Sequence, residues 1–271
     1  MTPLDALLLG VLQGLTEFLP VSSSGHLVLA ENLLNIHFSK ETLNAFDVIL
    51  HAGTLAALLL YFRKTWKRLI LSFFTYFSDN TKKEDKLLIH ILILGTIPVV
   101  LAGLFFKDFI DEFFRDPKRV LMCMGFIGIL FLFAEKFPKE KLKKKIGLKE
   151  GLIIGLFQAL ALIPGVSRSG TTISIAMFQG IPRHKAAEFS FLLGTPALAA
   201  ATSYISFQIF NGTLTPPSLP LILVGFLSSF FVSILCVHYL LKFLKKYSLR
   251  VFSFYLISIS VIGIILESIS K

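Results

Sequence analysis

Glu17, the hydroxyl run Ser22-Ser23-Ser24, His26 and Arg168 are polar residues set into stretches that are otherwise apolar. Glu17 follows Gln13 by four residues, so on a helix both side chains project from one face. An ionised carboxylate at bilayer depth costs at least ~2.5–3.5 kcal/mol even on lenient scales, which makes Glu17 a functional candidate by default. Ser22, Ser23, Ser24 and Gly25 come after Pro20, where a helix restarts. Unpaired N–H groups and the helix dipole form an anion cradle there, and one serine also serves as a helix cap. His26 follows the hydroxyls. Arg168 is flanked by Ser167 and Ser169, with Gly170, Thr171 and Thr172 opening the next helix. Arginine is a bidentate ligand for phosphate, and a helix N-terminus reinforces that preference. Brought together, these groups would form a phosphate clamp opposite a base or metal ligand.

The two polar stretches are related. GVLQGLTEFLPVSSSGH (10–26) recurs as GLFQALALIPGVSRSGT (155–171) at a constant offset of 145 residues, with seven identities in the 21 pairs from Gly10/Gly155 to Ala30/Ile175. Both copies put a serine-rich turn beside proline after an apolar run. Only the first has Glu17 and His26, and only the second has Arg168; Leu162 stands where the first has Glu17. A symmetric scaffold therefore carries an asymmetric set of reactive groups.

Composition limits what can position them. With 54% hydrophobic and 16% charged residues and a mean hydropathy of +0.75, the chain is too apolar for a soluble domain, where about 25% of residues are charged. Apolar blocks of bilayer length without strand alternation predict an all-α polytopic membrane protein. Cys123 and Cys236 sit singly inside apolar blocks and read as small buried hydrophobes. The N-terminus carries Asp5 and no basic region, so the first segment is expected to be retained rather than cleaved. The formal charge of +10 does not point to nucleic acid, because the lysines and arginines flank the apolar blocks as topology determinants.

Six full spans are expected, at about 44–62, 87–106, 120–134, 188–209, 218–241 and 251–267. Stretches 4–30 and 150–180 are broken in the middle by PVSSSG and PGVSRSG. Irregular backbone at membrane depth survives only under protein cover or beside a wet cavity. Both stretches therefore read as re-entrant helix-turn-helix hairpins, with ordinary broken spans as the alternative. Loops 63–86, 135–149 and 242–250, with Arg183 and Lys185, hold twenty basic residues, against six (Lys40, Lys107, Arg115, Lys118, Arg119, Lys271) on the other face. That asymmetry places the first face in the cytoplasm and both termini outside. Three spans separate the hairpins, an odd number, so the hairpins enter from opposite faces as an inverted-topology repeat. The predicted organisation is a single membrane domain, 1–271: a first repeat at 1–134, a basic cytoplasmic linker at 135–149 and a second repeat at 150–271. Gly53-Thr54 pairs with Gly194-Thr195 after a four-residue deletion.

Other polar residues are less specific. Asp47 and His51, at i and i+4 in the first full span, line the cavity or lie near the outer interface. Glu188 reads as interfacial beside Lys185, and Gly151 and Gly155 form a helix-packing GxxxG.

QGLTE (13–17) with PVSSSGH (20–26), then PGVSRSGTT (164–172) and EFSFLLGTP (188–196), closely resembles the undecaprenyl-diphosphate phosphatase, or bacitracin-resistance protein, family over essentially the whole chain. Gln13 stands where many members have Glu, which leaves one carboxylate in the first motif. The resemblance implies hydrolysis of undecaprenyl diphosphate to the monophosphate, recycling the lipid carrier of cell-wall synthesis in a bacterial plasma membrane, with a site open to the outer side. It implies a divalent cation, Mg²⁺ with Ca²⁺ as alternative, ligated by Glu17 and Gln13. Glu17, Ser23, His26 and Arg168 would be catalytic, with either Ser23 or His26 as nucleophile or proton carrier. Ser22, Ser24, Gly165, Ser167, Ser169, Thr171 and Thr172 would bind the substrate. The partners expected are a long-chain prenyl diphosphate and the bilayer, with no nucleic acid; a homodimer is compatible with such a chain. The rival reading is a secondary transporter or flippase of an anionic or lipid-phosphate substrate, because inverted repeats with broken helices are the usual transporter plan.

Overall fold

Proline and serine punctuation and long apolar runs set the helix boundaries. The structure, a computed structural model, describes residues 1–34, 36, 40–136 and 145–269. Residues 137–144 of the basic linker and Lys271 lie outside the described residues. Among the described residues the fold is all helix. Helix α1 (Pro3–Thr16) starts with Pro3 at its first position and a reciprocal cap between Thr2 and Asp5, which together satisfy two free N–H groups. A turn leads to α2 (Ser23–Leu33) and then to α3 (Lys40–Tyr61). Helices α4 (Arg63–Phe74), α5 (Lys83–Phe114) and α6 (Pro117–Lys136) follow. Helix α7 (Leu148–Gln158) runs through a short 3-10 turn (Ala159–Leu162) and a second serine turn into α8 (Arg168–Phe178). Helices α9 (Arg183–Phe210), α10 (Leu219–Leu244) and α11 (Arg250–Ile269) complete the chain.

Among the described residues six helices are long and apolar enough to cross a membrane: Thr42–Tyr61, Lys83–Phe106, Pro117–Lys136, Arg183–Phe210, Leu219–Leu244 and Arg250–Ile269. They correspond one to one with the six expected spans and fit a multi-pass membrane protein. The ends differ by up to five residues, because charged flanks continue the helices; α9 starts five residues early, after Pro182. The expected loop 63–86 contains helix α4, whose Trp66, Leu69, Ile70 and Phe73 recur at helical spacing between basic residues. Arg68 of α4 pairs with Asp85 at 3.1 Å and ties it to the start of α5.

Large apolar side chains such as Phe105, Phe126, Phe133, Phe231 and Ile262 are exposed on the spans, as a lipid-facing surface requires. Small residues face inward and let backbones approach, which is how helices associate where lipid is as apolar as leucine. A Cβ on Gly155 of α7 would lie 2.4 Å from Gly95 Cα of α5. One on Gly10 of α1 would lie 1.9 Å from Ser228 Oγ and 2.7 Å from the Gly225 carbonyl of α10. Ser229 donates to the Leu50 carbonyl at 2.9 Å, joining α10 to α3. The two serine turns are packed into this bundle, with Ser22, Ser23, Ser167 and Ser169 all buried.

Candidate active site

The end of α1 delivers the first group. Gln13 and Glu17, one helical turn apart, are both buried, and Gln13 Nε2 donates to Glu17 Oε2 at 3.2 Å. Ser23 at the first turn of α2 donates its hydroxyl to the same oxygen at 2.6 Å. Arg168, the first residue of α8, donates Nη2 to the other oxygen, Oε1, at 2.8 Å. This contact joins the two sequence cassettes across 151 residues. A buried ion pair is costly unless its remaining lone pairs are also satisfied, and here Ser23 and Gln13 satisfy them. His51 of α3 adds a further contact, its Nε2 lying 3.5 Å from Oε2.

Both turns start their second helix in the same way. Ser22 Oγ accepts the Gly25 N–H at 3.3 Å, and Ser167 Oγ accepts the Gly170 N–H at 3.0 Å. Capping uses the first serine of each S-x-S-G and leaves the residue after it, Ser23 or Arg168, free to reach Glu17. The turns are also bonded to each other, because Ser169 Oγ donates to the Leu19 carbonyl at 3.3 Å. Gly165 has φ +91°, and a Cβ there would lie 2.4 Å from the Val120 carbonyl, so this position needs glycine on both counts. Ser22 reaches φ 72° without that licence, a strained backbone of the kind found at functional sites.

Ser22 also explains where His26 goes. Its carbonyl lies 2.7 Å from His26 Nδ1 and can only accept, so Nδ1 carries a hydrogen. In the neutral ring Nε2 then accepts from the Tyr255 hydroxyl of α11 at 2.7 Å. The structure therefore brings Gln13, Glu17, Ser23 and Arg168 into one hydrogen-bonded group, while both ring nitrogens of His26 are engaged outside it. Among the remaining candidates, Ser24 Oγ lies 3.4 Å from Ser22 Oγ and Ser169 Oγ lies 3.2 Å from Ser167 Oγ. Thr172 Oγ1 donates to the Arg168 carbonyl at 2.8 Å and meets Ser190 Oγ at 2.6 Å. Thr171 Oγ1 is buried with no hydrogen-bond partner among the described residues.

Two contributors, Tyr255 and Ser190, were not legible as site residues, and of the two placements open to His51 the structure supports the one beside the site. The Asp47–His51 spacing was the one available signal, and it has a structural use, because the Asp47 carbonyl lies 2.7 Å from His51 Nδ1 and turns Nε2 toward Glu17. Asp47 itself pairs with Arg115 at 3.1 Å. Beside Tyr255 an apolar groove of about 470 Å³ is lined by Leu29, Leu121, Ile259, Ile262 and Leu266.

For a divalent cation, the fitting donors are Glu17 and Gln13. Gln13 Oε1 is buried and has no hydrogen-bond partner among the described residues, so an amide oxygen is available one turn from the carboxylate. No group of three or more His, Cys, Asp or Glu that could hold a metal occurs among the described residues. A cation here would draw on one carboxylate, one amide oxygen and phosphate oxygens of a ligand, a mixture that Mg²⁺ accepts.

The family model described as bacitracin resistance protein BacA matches residues 6–262. The chain is 39% identical over 255 residues to an undecaprenyl-diphosphatase of Rubrobacter xylanophilus, covering 93% of each chain. It is 41% identical over 253 residues to one of Thermodesulfovibrio yellowstonii, covering 92% of this chain and 91% of that one. A third, from Colwellia psychrerythraea, is 40% identical over 263 residues, with 94% and 95% covered. With matches of this identity and extent, the chain belongs to the bacitracin resistance protein BacA family.

Proposed function

We propose that this chain is an integral membrane phosphatase that hydrolyses undecaprenyl diphosphate to undecaprenyl phosphate and inorganic phosphate, recycling the lipid carrier of cell-wall synthesis. The observation that carries the reading is the meeting of Ser23, Glu17 and Arg168: a hydroxyl 2.6 Å from a carboxylate that is itself 2.8 Å from a guanidinium. The relatives, each an undecaprenyl-diphosphatase by name, supply the substrate.

Phosphoryl transfer depends mainly on positioning and on neutralising charge. Ser23 Oγ attacks the terminal phosphorus while its proton passes to Glu17. The bond to the bridging oxygen breaks, and the prenyl monophosphate leaves with that oxygen. Glu17 passes that proton to the departing monophosphate. Water then attacks the phosphoserine and gives a proton to Glu17, the bond from phosphorus to Ser23 Oγ breaks, and Glu17 returns the proton to Ser23 Oγ as inorganic phosphate is released. Arg168 turns from Glu17 to the phosphate oxygens, joined by the N–H groups that open α2 and α8. Ser22, Ser24, Gly165, Ser167, Ser169, Thr171 and Thr172 shape the cradle around them. His26, held by Tyr255, carries protons at the edge of the site. Glu17 and Gln13 would hold a divalent cation, Mg²⁺ or Ca²⁺, which supplies charge neutralisation to the diphosphate when bound. The groove beside Tyr255 gives the prenyl chain an apolar seat open to lipid.

In this reading the two halves, 1–134 and 150–271, form an inverted repeat around re-entrant hairpins, joined by the cytoplasmic linker 135–149. The packing supports it: α1 lies on α10 as α7 lies on α5, and α10 lies on α3 as α5 lies on α9. Three spans, α3, α5 and α6, separate the hairpins. In the same reading the protein resides in the bacterial plasma membrane with the site on the outer side, and the distribution of basic loops supports both termini lying outside.

The test is phosphate release from a long-chain prenyl diphosphate by the detergent-purified chain, with Mg²⁺ or with chelator. Release that needs the cation is expected. No release, together with substrate counterflow in liposomes, would replace the phosphatase by a transporter.

A further inference from the structure

Arg168 does not reach Glu17 by its own bond to that residue alone. We infer that Gly194 and Ser190, one turn apart on α9, form a seat that sets the position of the Arg168 guanidinium, and that both act as positioning residues for the site. The Ser190 carbonyl accepts from Arg168 Nη1 at 3.3 Å while Nη2 reaches Glu17. A Cβ on Gly194 would lie 1.5 Å from Arg168 Nη1, 2.4 Å from Cζ and 3.1 Å from Nη2, so the guanidinium lies on the face that glycine leaves open. The Ser190 hydroxyl holds the other end of the residue. Thr172 Oγ1 has one hydrogen and gives it to the Arg168 carbonyl, so the 2.6 Å contact to Ser190 is a bond that Ser190 donates. Ser190 thereby fixes both the backbone and the head of Arg168.

Gly194 differs in kind from the packing glycines. The atoms that an added methyl would meet belong to the far end of a flexible side chain, not to backbone, so the fold can absorb the methyl by letting the guanidinium move. Its repeat counterpart, Gly53, would instead press on the Phe226 carbonyl of α10 at 2.5 Å as well as on Ser229 Oγ. A Gly194→Ala chain should therefore fold normally and hold Arg168 in the wrong place.

The experiment has two arms, and only the activity arm rests on the phosphatase reading. In the first, thermal unfolding of the detergent-purified chain is followed for Glu17→Gln in the starting chain and in the Gly194→Ala background. In the starting chain the substitution strips Arg168 of its counter-charge and is expected to lower the Tm. In the Gly194→Ala background less than half of that loss is expected, because the guanidinium has already left the carboxylate. An equal loss in both backgrounds, or no loss in the starting chain, overturns the inference. In the second arm, Gly194→Ala is expected to reduce kcat for phosphate release by about 100-fold, the scale of an ångström-sized misplacement, and to raise KM. Made in an Arg168→Lys chain, it should cost less than about 2-fold more, since coupled residues fail to add. Unchanged kcat, or the same 100-fold cost in both backgrounds, overturns the inference. A starting chain that releases no phosphate indicts the functional proposal instead and leaves the unfolding arm to decide this one.

Discussion

In the turn 17–26, Ser22 takes the Gly25 N–H; in the turn 162–171, Ser167 takes the Gly170 N–H. The residue after each cap then diverges, Ser23 in one and Arg168 in the other, and the two converge on a carboxylate that only the first turn possesses. The cap is what the two turns share, and the position beside it is where they differ. The difference extends to the glycines: Gly10 and Gly155 both serve helix contact, whereas the pair Gly53 and Gly194 has split, one against a helix and the other under a guanidinium. The two copies share a serine-capped helix start, and the positions at which they differ put a carboxylate, Glu17, at the end of α1 and a guanidinium, Arg168, at the start of α8.

The largest effects should come from the asymmetric residues. Glu17→Ala and Arg168→Ala are each expected to lower kcat for phosphate release by at least about 10³-fold, the scale of removing a group aimed at transition-state charge. Moving the carboxylate to the other half, Glu17→Leu with Leu162→Glu, should restore nothing if the halves are no longer interchangeable; recovered activity would dissolve the distinction drawn here. His51→Ala should be next, with a loss of about 100-fold in kcat at unchanged Tm, the lower end of the span for positioned proton-handling groups. Tyr255→Phe keeps the groove wall and removes one hydrogen bond to His26, so a loss of only about 3–10-fold is expected, at the lower end of what one bond of about 1 kcal/mol controls. The smallest effect on catalysis belongs to the symmetric glycines. Gly10→Ala and Gly155→Ala should each lower the Tm by several degrees, roughly 2–4 °C per kcal/mol in a chain of this size, while the residual folded protein keeps its kcat.

The spans were legible because a bilayer imposes length and polarity together, and the helix-turn-helix breaks were legible because proline, glycine and serine leave few other options. The bond between Gln13 and Glu17 followed from i, i+4 spacing, and the two caps from S-x-S-G. The contact between Glu17 and Arg168 was inferred from the repeat rather than from any local signal. What could not be read were contacts set by rotation of one helix against another. His51 reaches Glu17 because of how α3 lies on α1, and no periodicity within α3 encodes that. His26 turns to Tyr255 because Ser22 adopts φ 72°, a backbone state that serine rarely signals. Helix α4 escaped because its basic residues read as loop while its apolar residues kept helical spacing. Ser190 and Gly194 lie in a motif that reads as ordinary membrane helix until a side chain from another helix is laid across it.

The separation of 151 positions from Glu17 to Arg168 also has a meaning in time. At about 5–20 residues per second of synthesis, the carboxylate is made roughly 8–30 s before the guanidinium that neutralises it. Through that interval the Glu17 carboxylate has Gln13, Ser23 and His51 of the first half as partners, but not Arg168. The pair between Glu17 and Arg168 can therefore form only after the second half has been made and has docked on the first.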